Sequence, residues 1–341
     1  MNILITGGAG FIGSHTVIEL AQAGHTPIIL DNFCNSDRSV LESLTHILGC
    51  SPRFYEGNCT DMPFLETVFT ENHIDGIIHF AALKSVNESI ANPLHYYHNN
   101  LDSLITVLKV AKKYSVTSVI FSSSATVYGE PDTLPIQEDA PRKPASSPYG
   151  TTKQMCEDIL RDTVAASPTS LRALSLRYFN PIGAHPSGLI GELPLGTPNN
   201  LVPFVTQTAA GLRPTLTIFG DDYPTPDGTC IRDYIHVVDL AKAHVTALTH
   251  LLSTHNTTLE YNVYNIGTGQ GTSVKELLAV FETATGVSVP CTIGPRRPGD
   301  IVACYADPSK IQHDFNWHAE LSLSDALTDA WRWQQHLATH S

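Results

Sequence analysis

Two residues with acid–base chemistry, Tyr149 and Lys153, stand four positions apart in the sequence. On a helix this spacing places both side chains on one face. A phenol with a pKa of ~10 is a poor base at neutral pH, but a neighbouring ammonium favours the phenolate and lowers that pKa. Such a pair can take a proton from an alcohol while a nicotinamide takes the hydride. The spacing alone is common by chance and, taken alone, favours an ordinary exposed helix pair.

A second group of hydroxyls stands in the run FSSSATVYG, residues 121–129. The preceding residues are predicted to form a strand, Val119–Ser122. A serine at the end of this strand can hydrogen-bond the same substrate oxygen as the tyrosine. Ser124 is the preferred candidate, whereas Ser122 and Ser123 are interpreted as residues that end the strand.

A glycine-rich turn supplies a candidate dinucleotide site. Gly7, Gly10 and Gly13 form GxxGxxG directly after a predicted strand and at the start of a predicted helix. Glycines allow a close approach to a pyrophosphate, and the helix N-terminus offers free N–H groups. The next strand ends at Asp31, whose carboxylate would accept from an adenosine ribose and repel a 2′-phosphate. NAD is therefore favoured over NADP, with Arg38 as a weaker alternative partner for a 2′-phosphate.

Strands and helices alternate along the first part of the chain. The predicted strands are Asn2–Thr6, Pro27–Leu30, Arg53–Tyr55, Gly76–Phe80, Val119–Ser122, Ala173–Tyr178 and Tyr264–Ile266. The predicted helices are Phe11–Ala23, Ser39–Leu48, Met62–Glu71, Leu94–Tyr114, Tyr149–Ala166 and Val237–Leu252. Alternation implies a parallel sheet covered on both faces. The predicted fold class is therefore α/β, a Rossmann-like doubly wound parallel sheet with a smaller C-terminal α/β substrate-binding lobe.

The texture of the sequence changes after Asn180. Residues 181–232 are rich in Gly and Pro, which is typical of loops and short elements over a binding site. We predict an NAD-binding Rossmann domain over residues 1–180, which the chain re-enters around 233–265. Residues 181–341 are predicted to form mainly the substrate-binding lobe.

Composition excludes several classes of function. The 341 residues carry a net charge of −13 and only 20 Lys and Arg, which argues against binding nucleic acid or an anionic membrane surface. No run approaches the ~20 apolar residues of a membrane span, and the N-terminus reads directly into a strand. The 7 Cys are scattered without a CxxC pair, which favours a reducing cytoplasm and predicts no metal site.

The motifs taken together resemble a known group of enzymes. The glycine turn, Asp31, the serine strand and YxxxK occur in the order found in the extended short-chain dehydrogenase/reductase superfamily. Within it, longer runs resemble the UDP-glucose (UDP-galactose) 4-epimerase family, from residue 2 to about residue 333. These runs are TGGAGFIGSHT, LDNFCNS, HFAALKSV, FSSSATVYG, SPYGTTK, LRYFNPIGAHPSG, PNNL, DGTCIRDYIHV, YNIGTG and PRRPGD. RYFNPIGAHPSG and GTCIRDYIHV are the most specific of them.

The resemblance implies an NAD-dependent isomerase that interconverts UDP-galactose and UDP-glucose through a 4-keto intermediate. Its catalytic residues would be Ser124, Tyr149 and Lys153. Further residues implied to contact the cofactor are Phe11, Ile12, Asn32, Asn35, Ser36, Asn58, Cys59, Phe80, Ala81, Lys84, Asn99 and Phe179. Residues implied to contact the sugar nucleotide are Asn180, Asn200, Leu201, Phe219, Arg232, Tyr234, Arg297, Asp300 and Cys304. Arg232 and Arg297 also fit without the resemblance, because a diphosphate suits guanidinium forks.

Two positions qualify the resemblance. The family usually has Gly-Asp where this chain has Gly57-Asn58, and an Asn carbonyl can still accept from the adenine amino group. Cys304 matches a position beside the sugar 2-position that is either Tyr or a small residue in similar enzymes. The small side chain predicts that UDP-GalNAc and UDP-GlcNAc are also converted, unless another side chain closes the pocket.

Other functions of the same fold remain as alternatives. A 4,6-dehydratase would need an Asp-Glu pair after the serine strand, where this chain has Ala125-Thr126. A uronate epimerase, such as a UDP-glucuronate 4-epimerase, would need a cation for the substrate carboxylate. A non-catalytic NAD-sensing scaffold would not need Ser124, Tyr149 and Lys153 together. In this superfamily the helices matching 94–114 and 149–166 commonly form a dimer interface, so we expect a homodimer.

Overall fold

The structure is a computed structural model that describes residues 1–166, 171–253, 261–297 and 299–340. Its strands are β1 (Asn2–Thr6), β2 (Thr26–Asp31), β3 (Arg53–Glu56), β4 (Gly76–His79), β5 (Ser118–Ser124), β6 (Arg172–Tyr178), β7 (Asn180–Ile182), β8 (Leu216–Phe219), β9 (Ile231–Arg232), β10 (Tyr234–His236), β11 (Asn262–Ile266), β12 (Thr272–Ser273), β13 (Cys291–Gly294) and β14 (Ala303–Cys304). Its helices are α1 (Phe11–Gln22), α2 (Ser39–Leu48), α3 (Met62–Glu71), α4 (Val86–Ala91), α5 (Pro93–Lys113), α6 (Pro148–Ala166), α7 (Leu201–Ala209), α8 (Val237–Ser253), α9 (Val274–Thr285), α10 (Ser309–Phe315) and α11 (Leu323–His340).

A parallel sheet forms the centre of the described part of the chain, with the strand order β11-β6-β5-β4-β1-β2-β3. Alternate residues of β1 serve two different cores, because successive side chains point to opposite faces. Ile3 and Ile5 pack with α1 and α8 residues, whereas Leu4 packs with residues of α3, α5 and α6. Helices therefore cover both faces, which confirms the predicted Rossmann-like doubly wound sheet.

The direction of winding reverses at β1, since β2 lies on one side of it and β4 on the other. In open α/β sheets, ligands bind in the crevice at the carboxyl ends of the strands at such a switch point. The backbone N–H groups of Phe80 and Ala81 donate to Thr6 O at 3.0 and 3.1 Å. The glycine turn after β1 and the loop after β4 thus lie together at this crevice.

The smaller lobe has its own core of buried residues from α7, α9 and α11. Members of this core include Val205, Leu277, Phe281 and Leu327. Short sheets, β12-β9-β14 and β13-β8, connect the lobe to the cavity described below. The division of the chain near residue 180 into two domains stays a prediction, although β11 (Asn262–Ile266) pairs with β6 in the large sheet.

Predicted and observed elements agree closely in the first part of the chain, whereas five helices of the described ranges, α4, α7, α9, α10 and α11, were not predicted. The strand expected at Val119–Ser122 is longer and includes Ser124. The short helix α7 lies in the region expected to be mostly loops. It carries Pro203 near its start, where a missing N–H costs no hydrogen bond, so proline there is compatible with a helix. The short helix α4 also went unrecognised.

No helix in the described ranges combines the length and apolar character that crossing a bilayer requires.

Helices α5 and α6 pack against each other. Leu94 on α5 and Met155 on α6 are exposed by 82% and 41%. The homodimer formed through these helices, and the cytoplasmic location, stay predictions.

A buried ion pair joins α6 to the sheet. Arg177 on β6 donates to both carboxylate oxygens of Glu157 on α6, at 2.8 and 2.7 Å. Ser123 on β5 donates to the same carboxylate at 2.6 Å, and Arg177 also donates to the Tyr128 hydroxyl at 2.9 Å. Because the charges are paired and hydrogen-bonded in a dry interior, removing one of them leaves the other uncompensated.

We expect Glu157→Ala to lower the free energy of unfolding by about 3–5 kcal/mol, because Arg177 would remain buried without its counter-charge. The matched control is Glu66→Ala, which removes an exposed partner of Lys113 at 2.7 Å. That control should cost less than about 1 kcal/mol. Urea denaturation followed by circular dichroism measures both, and equal losses in the two variants would contradict the special role of Glu157.

Candidate active site

One cavity of about 870 Å³ lies at the carboxyl ends of the sheet and reaches the smaller lobe. Every residue predicted above to be catalytic, to contact the cofactor or to contact the substrate lines this cavity. The sequence separates these residues by up to almost the whole chain, and the fold brings them together. Their individual roles remain predictions.

The glycine turn is closely packed against itself and against the next strand. Gly7 has a φ of 72°, which favours glycine, and a Cβ there would lie 2.8 Å from Ala81 N. A Cβ on Gly13 would lie 2.2 Å from Gly7 O. Only glycine permits such a close approach between these backbone segments. The tight turn lets α1 begin with its N-terminus directed at the cavity. This cradle fits a dinucleotide pyrophosphate.

Asp31 fixes the far side of the same turn. Its carboxylate accepts from the N–H groups of Ala9 and Phe33 at 3.0 and 2.9 Å and from the Ser36 hydroxyl at 3.1 Å. A carboxylate offers about four lone-pair sites, so these bonds leave capacity for a ribose hydroxyl. Arg38 is turned elsewhere, because it pairs with Glu56 and stacks on the Phe33 ring. It does not line the cavity, which favours NAD over NADP.

Asn58 replaces the acidic residue that the family usually has in this corner. Its side-chain oxygen accepts from the N–H of Thr60 at 3.1 Å. An amide oxygen has two lone pairs, so one remains for the adenine amino group. Cys59, the next residue, is buried, and burial raises the pKa of its thiol to about 12. Cys59 is therefore a neutral packing group.

Lys153 lines the cavity and is almost fully buried, with its ammonium in contact with the sheet. Its Nζ donates to Ser122 O at 2.6 Å and lies 4.9 Å from the centre of the Phe121 ring. Burial lowers the pKa of Lys153 to about 8. The ammonium is thus still mostly protonated at pH 7.

Tyr149 stands one turn before Lys153 on α6, as the spacing predicts, and Lys153 Nζ is 5.8 Å from the centre of its ring. Burial raises the pKa of the Tyr149 phenol to about 12, and hydrogen bonding to Ser124 opposes the shift. The expectation that the ammonium lowers this pKa is therefore wrong for the chain alone. Desolvation disfavours the charged phenolate and is the largest cause of the shift.

Ser124 ends β5 beside Tyr149, and its neighbours have other tasks. Its hydroxyl accepts from the Thr126 N–H at 3.2 Å and lines the cavity. Ser123 faces the opposite side of the strand, where it contacts Glu157. Ser122 offers its carbonyl to Lys153. Ser122 and Ser124 both line the cavity, and the choice of Ser124 as the catalytic serine stays a prediction.

Two guanidiniums mark the other end of the cavity. Arg232 donates to the carbonyls of Ile231 and Ile301 at 2.8 and 2.9 Å, which holds it in place. Arg297 donates to the Asp300 carboxylate at 3.0 Å, and its guanidinium lies 4.8 Å from the centre of the Phe219 ring. The two positive charges converge near one carboxylate, an arrangement that suits a diphosphate.

Cys304 lies beside Arg232, because β14 pairs with β9 at these two residues. It is buried, and burial raises the pKa of its thiol to about 11. The thiol is therefore neutral, and its side chain is small. Tyr234 and Asn180 also approach here, since β10 pairs with β7 at these positions.

Sequence reasoning missed residues that shape the site from behind. Asp233 is fully buried and accepts from the backbone N–H groups of Thr268, Gly269 and Ala306 at 2.9, 3.0 and 3.1 Å. It thereby fixes the loop after β11 to the strand region that carries Cys304. Its place between Arg232 and Tyr234 in a specific motif was the available signal. Nothing in the sequence shows which acidic residues are buried.

Comparisons with known proteins agree on one family. Residues 3–267 match the NAD dependent epimerase/dehydratase family. A UDP-glucose 4-epimerase of Bacillus subtilis (strain 168) is 51% identical over 334 residues, which is 98% of this chain and 97% of that protein. This family is NAD-dependent, in agreement with the predicted cofactor.

Solved structures show the same relationship. The structure of UDP-glucose-4-epimerase from Stenotrophomonas maltophila with bound NAD and formylated UDP-arabinopyranose is 48% identical, covers 100% of both chains and has a TM-score of 0.96. The structure of UDP-glucose 4-epimerase from Bifidobacterium longum in complex with NAD+ and UDP is 49% identical, also covers 100% of both chains and has a TM-score of 0.94. With its fold, its glycine turn and its Tyr149–Lys153 pair in agreement, the chain belongs to the NAD dependent epimerase/dehydratase family.

Proposed function

We propose that this protein is an NAD-dependent UDP-glucose 4-epimerase that interconverts UDP-galactose and UDP-glucose. One observation carries the proposal: the Tyr149–Ser124 pair shares a single cavity with the guanidiniums of Arg232 and Arg297. An acid–base group and a diphosphate anchor in one enclosed space suit proton removal from the hydroxyl of a nucleotide sugar. The names of the similar proteins and of the similar solved structures support the same substrate.

Tyr149 is the group that exchanges the proton at the C4 hydroxyl. Its phenolate removes that proton in the first half of the cycle, and Ser124 hydrogen-bonds the same oxygen. When bound, NAD supplies the acceptor of the C4 hydride and its donor on return, so no external oxidant is consumed. In the second half the phenol gives the proton back. Because burial opposes the phenolate, the ammonium of Lys153 is needed to stabilise it.

The cavity must hold the nucleotide firmly while the sugar turns over. Arg232 is anchored by two carbonyls and Arg297 by Asp300 and Phe219, so both guanidiniums are preorganised for the diphosphate. Few of the residues predicted to bind the substrate are expected to contact the sugar ring itself. A 4-keto sugar can therefore rotate about its diphosphate and present its other face to the returning hydride.

We also propose that the enzyme converts UDP-GalNAc and UDP-GlcNAc. The small side chain of Cys304 lines the cavity, and Cys304 is the direct pairing partner of Arg232 between β14 and β9. It therefore lies near the end of the sugar that is attached to the diphosphate. A tyrosine there would occupy the volume that an N-acetyl group needs. Cysteine leaves that volume open.

The direct test of the function follows UDP-galactose by proton NMR with purified protein and no added NAD. We expect UDP-glucose to appear and to approach the same ratio when the reaction starts from UDP-glucose. Conversion without added NAD shows that the cofactor is resident. Absence of conversion even after NAD is added would contradict the proposal.

We expect Tyr149→Phe to lower kcat by at least about 10³-fold, because no other group replaces the phenolic proton donor. The ring is retained, so the affinity for UDP measured by calorimetry should change by less than about threefold. Tyr114→Phe serves as the matched control, since Tyr114 lies outside the cavity at the end of α5. Retention of kcat in Tyr149→Phe would show that another residue moves the proton.

We expect Cys304→Tyr to lower kcat/KM for UDP-GalNAc by at least about 100-fold through steric exclusion, while UDP-galactose is still converted. Cys304→Ala keeps the space open and should leave both substrates active. Coupled assays on the two substrates give the ratio of their kcat/KM values. Loss of both activities in equal measure, or no UDP-GalNAc conversion by the unaltered enzyme, would refute this role of Cys304.

A further inference from the structure

A buried carboxylate, that of Glu192, lies behind the ligand cavity. Its side chain is only 10% exposed. It lines a second cavity of about 670 Å³ but not the first, whereas Lys84 and Asn200 line both. Glu192 thus stands behind two residues that line the ligand cavity, and it has no direct contact with that cavity.

The backbone that carries Glu192 is fixed against α11. The carbonyl of Glu192 accepts from Trp333 Nε1 at 3.0 Å. A Cβ on Gly191 would lie 2.4 Å from Trp333 Cδ1, so the chain passes directly over the indole. Because its main chain is held in this way, the carboxylate has a defined position between the two cavities.

The two partners of the carboxylate differ in strength. Asn200 Nδ2 donates to Glu192 Oε1 at 2.6 Å, a short bond to a charged acceptor. Lys84 Nζ is 3.8 Å away, and the lysine side chain is 58% exposed. Lys84 thus acts on the carboxylate mainly through its charge, whereas Asn200 makes the short directional bond.

This bond also decides which way the Asn200 amide faces. Asn200 directly precedes α7, yet its side chain makes no capping hydrogen bond to that helix. Because Asn200 Nδ2 donates to Glu192 Oε1, the amide nitrogen is turned towards Glu192. The carbonyl oxygen and the second amide N–H of Asn200 then remain for a ligand in the cavity.

We propose that Glu192 is a positioning residue that sets the orientation of the Asn200 amide for the uridine diphosphate part of the substrate. This inference rests on the proposed function, since it takes the occupant of the cavity to be a uridine nucleotide. The hydrogen bond that Glu192 accepts from Asn200 accounts for a carboxylate beside a space that receives diphosphates, which its charge alone would repel.

The test is a double-mutant cycle on UDP binding to the holoenzyme, measured by calorimetry. Glu192→Ala and Asn200→Ala should each weaken UDP binding about tenfold, the usual effect of losing a charged hydrogen bond. The double variant should bind no more weakly than Asn200→Ala, because Glu192 acts through Asn200. Additive losses would overturn the proposal.

Kinetics separate positioning from a merely structural role. Glu192→Ala should raise KM for UDP-galactose about tenfold and change kcat less than about twofold, because Asn200 is remote from the proton transfer. Glu192→Gln retains an oxygen acceptor and should recover most of the affinity. Thermal unfolding of each variant checks the fold, and a fall in melting temperature and kcat without a change in KM would refute positioning.

Glu320→Ala is the matched control for charge, because Glu320 pairs with Lys242 at 3.1 Å on the exposed surface away from both cavities. It should leave UDP binding unchanged. If the unaltered protein does not bind UDP, the proposed function fails and this inference fails with it. If it binds UDP and Glu192→Ala binds equally well, only the role of Glu192 is overturned.

Discussion

The arrangement of the site depends on the Glu157 carboxylate, which must be neutralised because it is buried. It receives Arg177 from β6 and Ser123 from β5, so it fixes one helix against two strands. That helix carries Lys153 one turn before Glu157 and Tyr149 two turns before it, and β5 ends at Ser124. Breaking the pair would leave an unpaired charge in a dry interior, which explains why α6 cannot shift along the sheet.

Burial shapes the chemistry of the same site. It raises the pKa of Tyr149 to about 12 and lowers the pKa of Lys153 to about 8, so both shifts disfavour the charged forms that proton removal requires. Hydrogen bonding to Ser124 acts against the desolvation of the Tyr149 phenolate that the fold imposes.

An acidic protein recognises anionic ligands here through local arrangement. The net charge of −13 gives no general attraction for a diphosphate, so binding depends on backbone N–H groups and a few guanidiniums. Asp31 uses its charge to hold the glycine turn, and Asp300 uses its charge to hold Arg297. Carboxylates in this cavity thus serve mainly to orient donors.

Features that are local in the chain could be predicted from the sequence alone. The turn from Gly7 to Gly13, the end of β2 at Asp31 and the four-residue spacing of Tyr149 and Lys153 follow from backbone sterics and helical periodicity. The alternation of strands and helices predicted the confirmed parallel sheet, since crossover connections require it. The resemblance to a family extended these predictions to NAD, which the family membership confirms, and to the remaining site residues, whose roles stay predictions.

The burial of polar side chains, and the partners that they contact, could not be predicted without the folded structure. Glu157 meets Arg177 and Asp233 meets Ala306 across long stretches of sequence, and no periodicity predicts such contacts. Glu192 lies near Asn200 in the chain, yet its burial depends on packing against Trp333 of the last helix. The prediction of a lowered pKa for Tyr149 was wrong for the same reason. Desolvation depends on every group packed around the phenol and not only on its neighbours in sequence.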